Sequence, residues 1–210
     1  MSSSEALLGE KLFDGRGGKL FEGTRTSIHR NGIAGEGFHI LWPDVVEIYV
    51  GGTIDSFNSI PWNEDRTLTI VDSGKNELSF TLSGFFRMKQ GKREQFNEAY
   101  AFVLRNVYEK QWAKFMETVR SGGHYPFGSF DIARDGFYFS KTVSTWKGPK
   151  EAFDKIETQY IKGCFIQQGF FYVQYQDADT PSKIRTWRAG EVQYVPNVHL
   201  VRSYISMLNP

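Results

Sequence analysis

Ser27-Ile28-His29-Arg30-Asn31-Gly32-Ile33 returns in the second half of the chain as Asp131-Ile132-Ala133-Arg134-Asp135-Gly136-Phe137. In each copy Ile stands two residues before Arg, followed by Asn-Gly or Asp-Gly and a second strand-like run. Those dipeptides tolerate positive φ and are the strongest short-range signal for a hairpin. A second match follows each hairpin, Asp44-Val45-Val46-Glu47 against Asp154-Lys155-Ile156-Glu157. The longer spacing in the second half is assigned to a loop around 143–150. Two matches in the same order point to an internal repeat.

Around the first copy, Leu20, Thr24, Thr26 and Ile28 alternate with Phe21, Gly23, Arg25, Ser27 and His29, as a half-buried strand requires. Further strands are expected at 33–41, 45–50, 53–58, 67–71 and 77–82. Gly51-Gly52, Pro61 and Asp72-Ser73-Gly74 sit between them as turns. From Lys92 to Arg120 there is neither Pro nor Gly, and apolar residues recur at helical spacing until Ser121-Gly122-Gly123 stops them. Such a helix is roughly 40 Å long. That is more than a small sheet needs, so Trp112, Phe115, Met116 and Val119 are expected to pack on the second repeat or on another copy of the chain. After the second hairpin come strands at 157–167, 170–176 and 184–189 and a short helix at 197–208. Residues 1–18, polar and glycine-rich, are expected to be a flexible lead-in.

The order of several strands and one closing helix, carried by "IHRNGIAGEGFHILWPDVVEI" and "FGSFDIARDGFYF…FDKIETQYIKGCF…VPNVHLVRSYI", resembles the pleckstrin-homology-like (PH-like) superfold. The whole is similar to uncharacterised two-repeat proteins of that type. The resemblance implies an α+β, mainly β chain of two PH-like repeats, 19–120 and 121–210. Each would be a bent antiparallel sheet, a partly open barrel, capped by its C-terminal helix, 92–120 and 197–208. Phosphoinositide-binding members of the superfold crowd Lys and Arg around the first hairpin. Here only Arg30 and Arg134 stand there, so that mode of lipid binding is not implied.

Composition narrows the function. The 210 residues are 40% hydrophobic and 16% aromatic, which suits a packed β-rich core. The formal net charge is +1, far from the basic excess that a duplex-binding surface needs, so no nucleic-acid partner is expected. The single cysteine, Cys164, admits no intrachain disulfide and reads as a buried structural thiol. No secretory leader and no apolar run of transmembrane length is visible, so the cytoplasm is the expected location.

No catalytic constellation stands out. His29, His39, His124 and His199 are scattered without metal-ligand spacing. Glu64-Asp65 and the pair Asp177 and Asp179 read as turn carboxylates. No enzyme activity, cofactor or metal is expected. What remains is a binding or scaffolding module for a protein, a peptide or another copy of the chain. The alternative is peripheral binding to anionic lipid through Arg87, Lys89, Lys92 and Arg93, helped by Trp146 in a loop.

Overall fold

The computed structural model describes residues 3–17, 24–35, 37–57, 60–85, 88–145 and 148–209. It is mainly β, with antiparallel sheets and a C-terminal helix, and it divides into two compact units, Met1–Lys110 and Gln111–Pro210. The division falls inside the long helix, ten residues before the boundary that the sequence suggested. Among the described residues no helix is long and apolar enough to cross a membrane.

The first unit opens with α1 (Ser3–Leu8) and β1 (Lys11–Gly17), where a flexible lead-in was expected. Glycine 15 explains the strand. A Cβ there would lie 2.6 Å from the Phe80 ring, so Gly15 marks a close approach rather than a loose turn. Then follow β2 (Thr24–His29), β3 (Gly32–Ala34), β4 (His39–Leu41), a 3-10 turn (Trp42–Asp44), β5 (Val45–Phe57), β6 (Ile60–Asp72) and β7 (Glu77–Phe85). They form one antiparallel sheet in the order β4-β3-β2-β1-β7-β6-β5. Strands expected at 45–50 and 53–58 are a single strand. Gly51-Gly52 does not turn the chain, and Gly52 is held within contact of the Asp65 carbonyl, 2.6 Å from where a Cβ would sit.

Alternate residues of these strands, among them Ile28, Ile48, Leu68, Ile70, Leu78 and Phe80, line one apolar core. The sheet curls around it, and α2 (Gln90–Arg120) adds Phe96, Ala99, Val103 and Val107. Ala99 is fully buried on this face, where a small residue lets the helix approach the sheet.

The second unit takes the last ten residues of α2. It continues with β8 (Tyr125–Pro126), β9 (Phe130–Ala133), β10 (Gly136–Thr145), β11 (Gly148–Glu157), a 3-10 turn (Thr158–Tyr160), β12 (Ile161–Gln167), β13 (Phe170–Gln176) and β14 (Ile184–Glu191). A further 3-10 turn (Val192–Tyr194) leads into α3 (Val198–Leu208). The strands make two antiparallel sheets, β11-β10-β9-β8 and β12-β13-β14. Residues 143–145 and 148–150, expected in a loop, instead continue β10 and β11, paired in unbroken register from Gly136–Glu157 to Thr145–Gly148. Alternation there is masked by the polar run Ser144-Thr145 and by Pro149, which a strand tolerates at its edge.

Each unit contains the same corner. The first 3-10 residue after the third strand of the hairpin region donates its backbone N–H to the hairpin carbonyl, Trp42 to Asn31 and Thr158 to Asp135, both at 3.1 Å. Their side chains donate to the preceding carbonyl, Trp42 Nε1 to Arg30 O and Thr158 Oγ1 to Arg134 O. Gly32 and Gly136 have ordinary φ. They are glycine because a Cβ would lie 2.4 Å from Ile40 O and 2.7 Å from Ile156 O. The reason for Asn-Gly and Asp-Gly is therefore strand-on-strand approach rather than positive φ. The corner also corrects the second sequence match: Asp44 lies in a 3-10 turn, whereas Asp154 is within β11, and Trp42–Asp44 corresponds in place to Thr158–Tyr160.

Candidate binding surface

Two of the four residues of the basic cluster, Lys92 and Arg93, are committed to the fold. Arg93 Nη2 lies 2.5 Å from Glu64 Oε2, which also accepts the Met88 backbone N–H at 3.1 Å. Arg66 Nε stands 3.6 Å from Glu64 Oε1. Burial pushes the Glu64 carboxyl up. The hydrogen bonds from Arg93 and Met88 and the two guanidinium charges outweigh it and hold the group below the usual carboxylate range. Lys92 Nζ donates to Ser83 O at 2.7 Å, and Lys89 is exposed. Arg87 and Trp146 lie outside the described residues.

Glu64 and Asp65, expected in a turn, are buried within β6. Asn63 Nδ2 donates to Asp65 Oδ2 at 3.0 Å. A polar run from Asn63 to Arg66 carries no alternation to betray a strand; the closest partner of Glu64, Arg93, comes from α2. Glu64→Gln keeps the shape but removes the charge that Arg93 meets. Charge-assisted hydrogen bonds contribute about 1.5–3 kcal/mol, and the Arg93 side chain is 41% exposed, so screening trims the expected loss to about 1–2 kcal/mol. Urea denaturation at neutral pH measures it. An unchanged midpoint would show that the pair contributes nothing.

Phe115, Met116 and Val119 are buried in the second unit's own core, and Trp112 is half-buried with its ring 5.5 Å from that of Phe115. Gln111, absent from the apolar pattern, is buried beside them and bonds Asn197 and His199. In the same unit Asp177 is buried and clamps the β13–β14 loop. It accepts Arg185 Nε at 2.6 Å and the Asp179 N–H at 3.1 Å. Its charge serves the turn, as the sequence suggested, while the burial is an added feature. Burial raises the Cys164 thiol pKa, with Arg202 opposing, so the thiol is poorly ionised. Among the described residues no three His, Cys, Asp or Glu side chains converge as metal ligands would.

Open strand edges are the remaining chemistry. Among the described residues, β5, thirteen residues long, ends its sheet and pairs with β6 alone; it carries Ile54, 66% exposed. In the second unit β12 ends its sheet and carries Ile166, 46% exposed. Among the described residues, β1 is joined to β7 by the single pair Arg16–Thr81, which leaves Lys11 to Asp14 with one side unpaired. Such rows of N–H and C=O groups are templates for another strand. Sequence patterning found β5 and β12 as strands but carries no sign of which neighbours they lack. The chain matches no protein-family model and no curated protein.

Proposed function

We propose that this chain is a non-catalytic binding module of two PH-like repeats that recognises an extended polypeptide segment, from another protein or another copy of itself, by strand addition. The unpaired strand edges carry this reading, because main-chain pairing supplies affinity while alternate side chains supply selectivity. Tandem repetition is supported by the matching order in the two units, four strands, a 3-10 turn, three strands and a helix, and by the shared corner at Asn31-Gly32 and Asp135-Gly136. Commitment of Arg93 to Glu64 favours this reading over lipid binding through 87–93.

Random dodecapeptides displayed on phage and selected on the folded chain should yield binders that slow amide exchange along a strand edge. Binders that protect no strand edge would overturn the reading. So would salt-sensitive binding to phosphatidylserine vesicles, lost on Lys89→Glu, as the sole binding activity.

A further inference from the structure

We propose that the unpaired side of β1 and the flank of α2 beside it form the docking groove, and that its occupant is an extended peptide of the pattern basic-x-apolar-x-acidic, read in either chain direction. This rests on the strand-addition reading above and names the edge and the partner chemistry. The groove, of about 520 Å3, is lined by Leu12, Phe13, Glu98, Ala101, Phe102 and Arg105, all within the first unit. Its floor is apolar and braced. The Phe13 ring lies 6.3 Å from Phe102, which in turn meets Trp42 edge-on at 6.2 Å. Leu12, 37% exposed, gives the floor an unfilled apolar surface beside the Lys11–Asp14 backbone.

The rim decides the pattern. Glu98 and Arg105 sit at opposite ends of the α2 flank, about 10 Å apart along a helix rising 1.5 Å per residue. Neither has an ion-pair partner among the described residues, and Arg105 is steadied 6.0 Å from the Phe102 ring. On the strand side, Lys11 Nζ pairs with Asp14 at 2.8 Å. A strand added along Lys11–Asp14 extends for about 13 Å at 3.3 Å per residue, long enough to match the spacing of Glu98 and Arg105. Alternate residues face the same side, so a central apolar side chain meets Leu12 and Phe102. The residue two before or after it reaches Glu98 with a positive charge, and the one on the opposite side reaches Arg105 with a negative charge. Backbone pairing, an apolar floor and two opposite charges without ion pairs among the described residues come together at β1.

The probe is the displayed dodecapeptide library, followed by a synthetic peptide of the enriched sequence. The expected result is enrichment of basic-x-apolar-x-acidic, slowed exchange at Lys11–Asp14, and at least tenfold weaker binding to Arg105→Glu. Replacing the peptide's acidic residue by Lys should restore binding to Arg105→Glu and weaken it to the unaltered chain. Arg105 is exposed on a helix, so an unchanged melting temperature accompanies the variant. Peptides that protect Val45–Phe57 or Ile161–Gln167 instead would overturn this groove while leaving strand addition intact. Absence of any edge-protecting peptide would overturn both.

Discussion

Phe115→Ala is expected to lower the unfolding free energy by about 3–5 kcal/mol, the usual cost of truncating a core aromatic. The ring is fully buried and is met edge-on by three others: Tyr125 at 5.3 Å, Phe127 at 5.7 Å and Tyr204 at 5.3 Å. Such edge contacts contribute about 0.5–1.5 kcal/mol each beyond the area they bury. They tie the end of α2 to β8, to the β8–β9 turn and to α3, so the cavity left behind is bounded by several elements and cannot collapse on one of them. Trp112→Ala, at a half-buried site, should cost less. Because the two rings touch, the double variant should fall short of the sum of the singles. Urea denaturation followed by tryptophan fluorescence and far-ultraviolet circular dichroism measures all three. A loss below about 1 kcal/mol for Phe115→Ala would mean that this end of α2 is not held as described.

Acidification from pH 6.5 to pH 4 should remove about 3 kcal/mol of stability through His199 alone. Burial lowers the pKa of this imidazole from the ordinary 6.5 to about 4. Its Nε2 lies 3.0 Å from Gln111 Oε1, and the Gln111 amide donates to Asn197 Oδ1 at 3.2 Å. Gln111 Oε1 can only accept, so Nε2 carries the proton of the neutral ring. The unfolded chain binds a proton at 6.5 and the folded chain only near 4. Between those values the unfolded state therefore holds more protons, and stability falls as pH falls. A tenfold difference in proton affinity is worth about 1.4 kcal/mol, which gives the expected magnitude. The carboxyls of Glu64, Asp72, Asp135 and Asp177 are all held below their ordinary values of 4.5 for Glu and 3.8 for Asp, so their contributions fade as pH falls through and below those values. His199→Gln should flatten the pH 4–6.5 portion of the stability curve and leave the part below it. An unchanged slope would sink the assignment to His199.

Strand alternation and the two hairpins were legible from the sequence because both are local patterns. The helix was legible too, to within two residues of its start. What escaped depended on distant partners. Glu64 and Asp65 looked like turn residues because the group that makes Glu64 tolerable in a strand, Arg93, lies in another element. Strand β1 was hidden because Gly15 and Gly17 resemble a loop until Phe80 is seen to need the space. For the same reason no periodicity could mark Glu98 and Arg105: their interest lies in facing Leu12 across a groove. The cluster 87–93 stood out by charge density alone, and two of its members, Lys92 and Arg93, hold the fold together.

The corner found in both units carries a consequence for the order of folding. Closing it joins Asn31 to Trp42 in one case and Asp135 to Thr158 in the other, about twice the separation along the chain. Each doubling of a closed loop costs about 0.6 kcal/mol of chain entropy, roughly a threefold factor in rate when loop closure limits the step. The first corner should therefore form before the second as the chain collapses, and pulsed hydrogen exchange would record it as protection of the Trp42 amide ahead of the Thr158 amide. Repetition of a motif does not make its copies kinetically equal, because the hairpin enclosed by each copy sets its search.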